Sequence, residues 1–329
     1  MRKKFVFWVV FSLLPISALA QTSGWSHPDE LTFAPLDWKI PDAERYELSN
    51  GMVVYLQADA ELPLFNAYAI VKTGSIYEPA DKLGLAAVTG EVMRSGGTDA
   101  SGRPMTGDEI DEELEFRAGS VETSIGWESG EASVKVLRKD ADYGLRLLRD
   151  ILAYPVFDKG KIELSKNRMI EEIRRQNDHS RRVAAREWNK VVYGKESPWA
   201  RTPTVVTVSN IEREDVVAFH RKYFHPNNVI LTVYGDFDVS EMKRKLEKIF
   251  GGWEREEVRF PRTAPIEVQF EPGIYSVEKE VAQSTILMGH YGIRRHDPET
   301  FKVMVMNEIL GGGFTSRMTK EVRSNRGLS

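Results

Sequence analysis

Gly84-Leu-Ala-Ala-Val-Thr-Gly-Glu-Val92, running on through Met93 and Arg94 to Gly96-Gly97-Thr98, is the stretch on which the reading of the fold turns. Its apolar residues recur at helical spacing and paired glycines close it, which predicts a helix over 83–94. Upstream, segments 45–49 and 52–57 flank Asn50-Gly51, a dipeptide suited to the positive φ angles of a tight hairpin turn. A further strand is expected over 65–73. Downstream, a second helix over 107–117 opens with Thr106 three residues before Glu109, the spacing of a capping box. Segments 121–127 and 131–137 then alternate apolar and polar residues, as an antiparallel strand pair does.

Helical patterns dominate the next stretch, over 141–152, 159–176, 182–192 and 212–223. The last stops at His225-Pro226-Asn227-Asn228 and leads into a strand over 229–234. A charged helix over 240–250, with Ser240 read as its N-cap, closes the unit at Gly251-Gly252-Trp253. Strands and helices segregated in this way indicate an α+β domain and not a doubly wound parallel sheet. Residues 254–273 carry three prolines and alternating charge, and read as a linker. Beyond them, strands over 274–279 and 283–291 and a helix over 298–310 echo the first unit, each ending in a Gly-rich turn. That similarity predicts two homologous domains, the second incomplete and too short to bury a core alone. The expected layout is a signal peptide over 1–20, a loose lead over 21–41, a first domain over 42–253, the linker, and the start of a second domain over 274–329.

Composition narrows the function. Of 329 residues, 41% are hydrophobic and 29% charged, which suits a folded chain and not a disordered one. Arg2-Lys3-Lys4, an apolar run to Leu14, Pro15 and the small-residue site Ala18-Leu19-Ala20 have the grammar of a bacterial secretory signal. The apolar run is shorter than the ~20 residues a membrane span needs, so cleavage after Ala20 and a periplasmic or secreted product are expected. Cleavage removes three cations and takes the net charge from −4 to −7. Such an acidic chain, with no segregated basic patch, is not expected to bind nucleic acid. There is no cysteine, which excludes disulfides, thiol nucleophiles and a lipid-anchoring cysteine.

Four segments, read in order, resemble the pitrilysin/insulinase metallopeptidase family, in particular its bacterial branch akin to mitochondrial processing peptidase. They are the Asn50-Gly51 hairpin, the Gly84-Leu85-Ala86 helix ending at Thr98, and Tyr223-Phe-His-Pro-Asn-Asn228 leading to Val233-Tyr-Gly-Asp236. The fourth is Leu310-Gly-Gly-Gly-Phe-Thr-Ser-Arg317 with Arg323 and Gly327-Leu328. The resemblance covers about 45–329 and implies two pitrilysin-like α+β halves closing on an extended peptide. In that family an inverted H-x-x-E-H motif supplies two imidazole ligands and a general base, and a downstream glutamate completes the zinc site. Carried over, the first histidine falls on Ala87, the glutamate base on Gly90 and the second histidine on Glu91. The downstream ligand falls on Glu172 and its usual companion on Ser165. Only Glu172 keeps a family ligand, so no catalytic residue and no zinc is expected in this chain. Its six histidines, His27, His179, His220, His225, His290 and His296, include no pair at ligand spacing with a glutamate between.

Glu91 and Glu172 leave two readings open. They could face one another and hold a hard cation or share a proton, or Glu91 pairs with a neighbouring arginine or with solvent. Gly311, Gly312 and Gly313 follow a helix and lack the G-K-S/T ending of a phosphate loop. The resemblance makes them a pliable segment near substrate. Arg323 matches the arginine of an arginine–tyrosine pair that hydrogen-bonds the peptide, the tyrosine being the residue expected after Ser329. Two Ser-x-x-Lys occurrences, Ser240/Lys243 and Ser276/Lys279, lack partner motifs and carry no catalytic reading. The resulting expectation is a secreted family member without proteolysis of its own, binding extended peptide and a catalytic sister subunit that carries the zinc. The alternatives are a structural or assembly protein of the same fold and a peptidase with a rearranged metal site around Glu91 and Glu172.

Overall fold

The computed structural model describes residues 31–35, 39, 42–100, 103–262, 271–289 and 291–328. The expected signal peptide lies outside them, as do most of 21–41 and residues 263–270 of the expected linker. From Asp42 onward the chain runs β1 (Glu44–Glu47), β2 (Val53–Ala58), β3 (Leu64–Lys72), α1 (Leu85–Ser95), the short pair β4 (Thr98–Ala100) and β5 (Arg103–Met105), and α2 (Gly107–Phe116). Next come β6 (Ser120–Ile125), β7 (Ser129–Leu137), α3 (Ala141–Ala153), α4 (Lys159–Arg174), α5 (Ser180–Tyr193) and α6 (Val205–Ser209). The series ends with α7 (Arg213–Tyr223), β8 (Val229–Gly235), α8 (Val239–Phe250) and α9 (Thr300–Asn307).

Six strands form one sheet in the order β1-β2-β8-β3-β7-β6. All neighbours are antiparallel except β2 and β8. The late strand β8 therefore inserts between two early ones, so the core closes only when the whole segment 42–253 is in place. Alternation explains which face is covered. Phe65, Ala67, Ala69 and Val71 of β3 point inward with Ala132, Val134 and Val136 of β7 and Val229, Leu231 and Val233 of β8, all buried. Helices lie on that one face, α1 against β6 and α3 against β7, as expected of an α+β layer pair. The opposite face keeps polar and aromatic residues such as Asn66, Tyr68, Lys72 and Tyr234.

Several local expectations hold and others are corrected. The Thr106–Glu109 capping box forms, with Thr106 Oγ1 accepting from Glu109 N at 3.2 Å and Glu109 Oε2 accepting from Thr106 N at 2.8 Å. At Asn50-Gly51 only Gly51 takes a positive φ, +86°. The loop has three residues, closed by Leu48 N donating to Met52 O at 2.9 Å. Asn50 is instead buried, and its Nδ2 donates to the carbonyls of Phe250 at 2.8 Å and Trp253 at 3.2 Å, tying the hairpin to the end of α8. The N-cap of α8 is Asp238, whose carboxylate accepts from Glu241 N at 2.8 Å, and Ser240 sits inside the helix.

The largest correction concerns 274–279 and 283–291. No strand forms among their described residues, because alternation makes a strand only where a neighbour supplies the other half of the hydrogen-bond ladder. These residues lie along α5 instead, where Ser180 Oγ and Thr285 Oγ1 are 2.9 Å apart and Tyr291 Oη donates to Val192 O. The helix expected over 298–310 is shorter, α9 giving way to a wide π-type turn over Glu308–Gly312.

Asn50→Ala removes the bonds to the end of α8 and to the turn after it, and leaves the Trp253 carbonyl without the Asn50 donor, while Phe250 O keeps its bond from Trp253 N. A loss of about 2 kcal/mol is expected, read in urea denaturation as a lower midpoint with an unchanged slope.

Candidate functional site

The α1 face begins with an unusual cap. Its N-cap residue Gly84 has no side chain to satisfy the first amides, and the carboxylate of Glu78, from the loop after β3, does so instead. Glu78 Oε1 accepts from Ala86 N at 2.6 Å and Oε2 from Gly84 N at 3.2 Å. Arg201 lies beside it, its Nη2 donating to Glu78 O at 2.9 Å and Ile76 O at 3.3 Å. A cavity of about 250 Å³ is lined here by Ser75, Glu78, Ala87, Gly126, Arg201 and Pro203. Burial pushes the Glu78 carboxyl up to about 7, against the two amides and Arg201, which lower it. Neither Glu78 nor Arg201 was singled out from the sequence. The only signal for Glu78 was an acidic residue shortly before a helix that starts without a capping side chain.

Along α1, Ala87 is exposed, Gly90 is buried and Glu91 is half-buried. Glu91 reaches across to α4, where Oε2 accepts from the buried hydroxyl of Ser165 at 2.6 Å and Oε1 from Arg168 Nη1 at 2.5 Å. Glu172, one helical turn beyond Arg168, is exposed and makes no hydrogen bond or ion pair with a described residue. Of the two readings of Glu91, the arginine pairing is the one observed, and the carboxylate pair with Glu172 is not. Gly90 packs on the backbone of β6. A Cβ there would lie 2.4 Å from Ile125 N and 2.7 Å from Ser124 C, and Thr123 Oγ1 donates to Gly90 O at 2.6 Å.

These residues do not fit zinc. Ala87 and Gly90 bring no donor, and of the two carboxylates at ligand positions Glu91 is held by a cation and a hydroxyl while Glu172 makes no hydrogen bond or ion pair with a described residue. Among the described residues no group of three or more His, Asp or Glu side chains is placed to hold a metal. The described histidines are elsewhere. His220 is buried under Phe224 and donates from Nε2 to Leu152 O at 2.9 Å, with burial lowering it to about 4. His225 Nε2 contacts Arg221 O at 2.6 Å, and His179 and His296 are exposed. His27 and His290 lie outside the described residues.

Gly311, Gly312, Gly313 and Arg323 form a separate groove of about 390 Å³ with Phe314 and Met318. Arg323 lies over the Phe314 ring, 5.6 Å from its centroid. Among the described residues no hydrogen bond or ion pair joins this groove to α1.

A helix-covered sheet with a helix pair at its β6 edge, and a degenerate H-x-x-E-H position on that helix, define a peptidase-like architecture. Two family models match, insulinase (peptidase family M16) over residues 53–197 and the peptidase M16 inactive domain over 210–329. The chain belongs to the pitrilysin/insulinase peptidase family. It is 26% identical over 290 residues to an uncharacterized zinc protease of Bacillus subtilis, covering 87% of this chain and 68% of the relative. It is 21% identical over 275 residues to a non-peptidase homolog of Helicobacter pylori, covering 82% of this chain and 61% of that protein. The fold matches a crystal structure of a peptidase M16 inactive domain from Pseudomonas fluorescens with a TM-score of 0.70 at 22% identity, covering 87% of this chain and 69% of that one. The chain therefore spans about two thirds of the length of these relatives. No helix among the described residues is long and apolar enough to cross a membrane.

The raised Glu78 carboxyl makes stability pH-dependent. Between about 4.5 and 7 the folded state keeps a proton the unfolded state has released, so this group lowers stability as pH rises through that window. The depressed His220 gives the opposite slope between about 4 and 6.5. Glu78→Gln removes only the first contribution. The variant is expected to gain on the wild type by on the order of 2 kcal/mol between pH 5 and 8, measured by urea denaturation at each pH.

Proposed function

We propose that this chain is a non-catalytic, peptide-binding member of its family that works beside a zinc-bearing sister subunit outside the cytoplasm. The observation that carries the reading is the α1 face itself. The positions of two ligands and the base hold Ala87, Glu91 and Gly90, and Glu91 is engaged by Arg168 and Ser165. A metal-activated water needs open coordination and a nearby base, and neither has a residue to supply it here.

Binding is a separate matter. Among the described residues β6 is the last strand of the sheet, beside α1, and its outer edge has no partner strand. An open edge offers main-chain donors and acceptors to an extended chain, a recurrent mode of peptide capture. The exposed Arg323 beside the Gly311–Gly313 turn adds a cation suited to peptide carbonyls. Such a chain supplies cleft walls and a donor to a reaction whose metal sits on another subunit. The name of the Helicobacter pylori relative, a non-peptidase homolog, supports the non-catalytic part of the reading. The basic and apolar start of the sequence supports export.

The test is peptide cleavage by the full-length protein, alone and mixed with a family member that carries an intact H-x-x-E-H motif. The lone protein is expected to leave a fluorogenic peptide intact while the mixture cleaves it faster than the sister alone. Chelator-sensitive cleavage by the lone, metal-analysed protein defeats the proposal.

A further inference from the structure

The contact between α1 and β6 does more than lack a base. Gly90 sits mid-helix, where glycine is a poor choice, and the strand backbone fills the space a side chain would take. The ideal Cβ position is 2.4 Å from Ile125 N and 3.0 Å from Ile125 Cγ1. Backbone atoms of a sheet strand cannot yield as the tip of a flexible side chain does. On the same turn, Thr123 Oγ1 donates to Gly90 O at 2.6 Å, so the middle of β6 is fastened to the helix by a hydrogen bond as well as by contact. Thr123 is half-buried at this seam, and Val121 and Ile125 to either side are buried beneath the helices.

We propose that Gly90 and Thr123 are positioning residues that hold the β6 edge as a fixed template for an extended peptide, in the space a general base would need. The inference rests on the peptide-binding reading above and adds to it the residues that set the edge. A strand on a sheet margin with only one neighbour is free to fray, and fraying lowers affinity by the fraction of time the edge is misplaced. β6 is held on one side by β7 and from the helical layer by the Gly90–Thr123 seam. The same closeness bars any side chain at position 90, so acid–base chemistry at this place is excluded by the backbone as well as by residue type.

The experiment uses the full chain and fluorescein-labelled β-casein, an unfolded polypeptide, with binding followed by anisotropy and folding by circular dichroism. In an ordinary helix, replacing glycine by alanine raises stability. Here Gly90→Ala is expected to lower the thermal midpoint by several degrees and to weaken casein binding. Thr123→Val keeps the shape and removes the hydroxyl. It is expected to weaken binding roughly tenfold with a small change in midpoint, while Thr123→Ser retains wild-type binding. A raised midpoint in Gly90→Ala, or casein affinity unchanged in both Gly90→Ala and Thr123→Val, overturns the positioning role and leaves peptide binding standing. A wild-type protein that does not bind casein overturns the peptide-binding reading and the positioning role together.

Discussion

The distance at which a strand backbone can pass a helix governs the candidate site. β6 lies so near α1 that position 90 tolerates no side chain, and the helix accepts a mid-helix glycine as a consequence. That glycine costs about 1 kcal/mol of helix propensity relative to alanine. The contact offsets it by letting Thr123 reach the Gly90 carbonyl and by burying Val88 and Val92 on the neighbouring faces of the helix. Once residue 90 faces the strand, helical geometry fixes the rest. Ala87 is turned to solvent, and Glu91 points toward α4.

The two carboxylates at this end of the domain illustrate how differently a charge can be satisfied. Glu78 is buried and receives two helix amides, a role in which its ionisation is opposed by desolvation and favoured by the N-terminal dipole. Glu91 is half-exposed and meets an exposed guanidinium, so its pairing with Arg168 contributes little net stability. What fixes α1 is burial of Leu85, Ala86, Val88, Val92 and Met93 against the sheet and its neighbours. The domain thus has no need of a metal as a structural cross-link.

Much of this was legible from sequence because the first domain is built from patterns that act locally. The capping box at Thr106, the alternation in β7 and the stop at His225-Pro226 all specify their elements from within a few residues. The family motifs placed Ala87, Gly90 and Glu91 on one helix, where the structure has them. What escaped depends on partners far away in the chain. The insertion of β8 between β2 and β3 joins segments on opposite sides of the helical stretch, and Asn50 reads as a turn residue until the end of α8 is brought beneath it. Asp238 capped α8 in place of Ser240 because the helix starts one residue earlier than its charge pattern suggests. The strands expected over 274–279 and 283–291 show the converse error. Alternation was present, but no ladder formed to make it a strand.

A protein can retain recognition after losing catalysis because the two draw on different atoms. Main-chain groups along an open strand edge interact with an extended peptide in its ground state, irrespective of side-chain identity. Rate enhancement requires groups that act more strongly on the transition state than on the substrate, which in this architecture means metal, water and base on α1. Among the described residues β6 has a strand neighbour on one side only, and on α1 the β6 backbone crowds position 90 while Glu91 is taken up by Arg168. On the reading proposed above, a peptide bound along that edge without differential stabilisation is held and not cut, and cleavage falls to a second subunit that bears the metal.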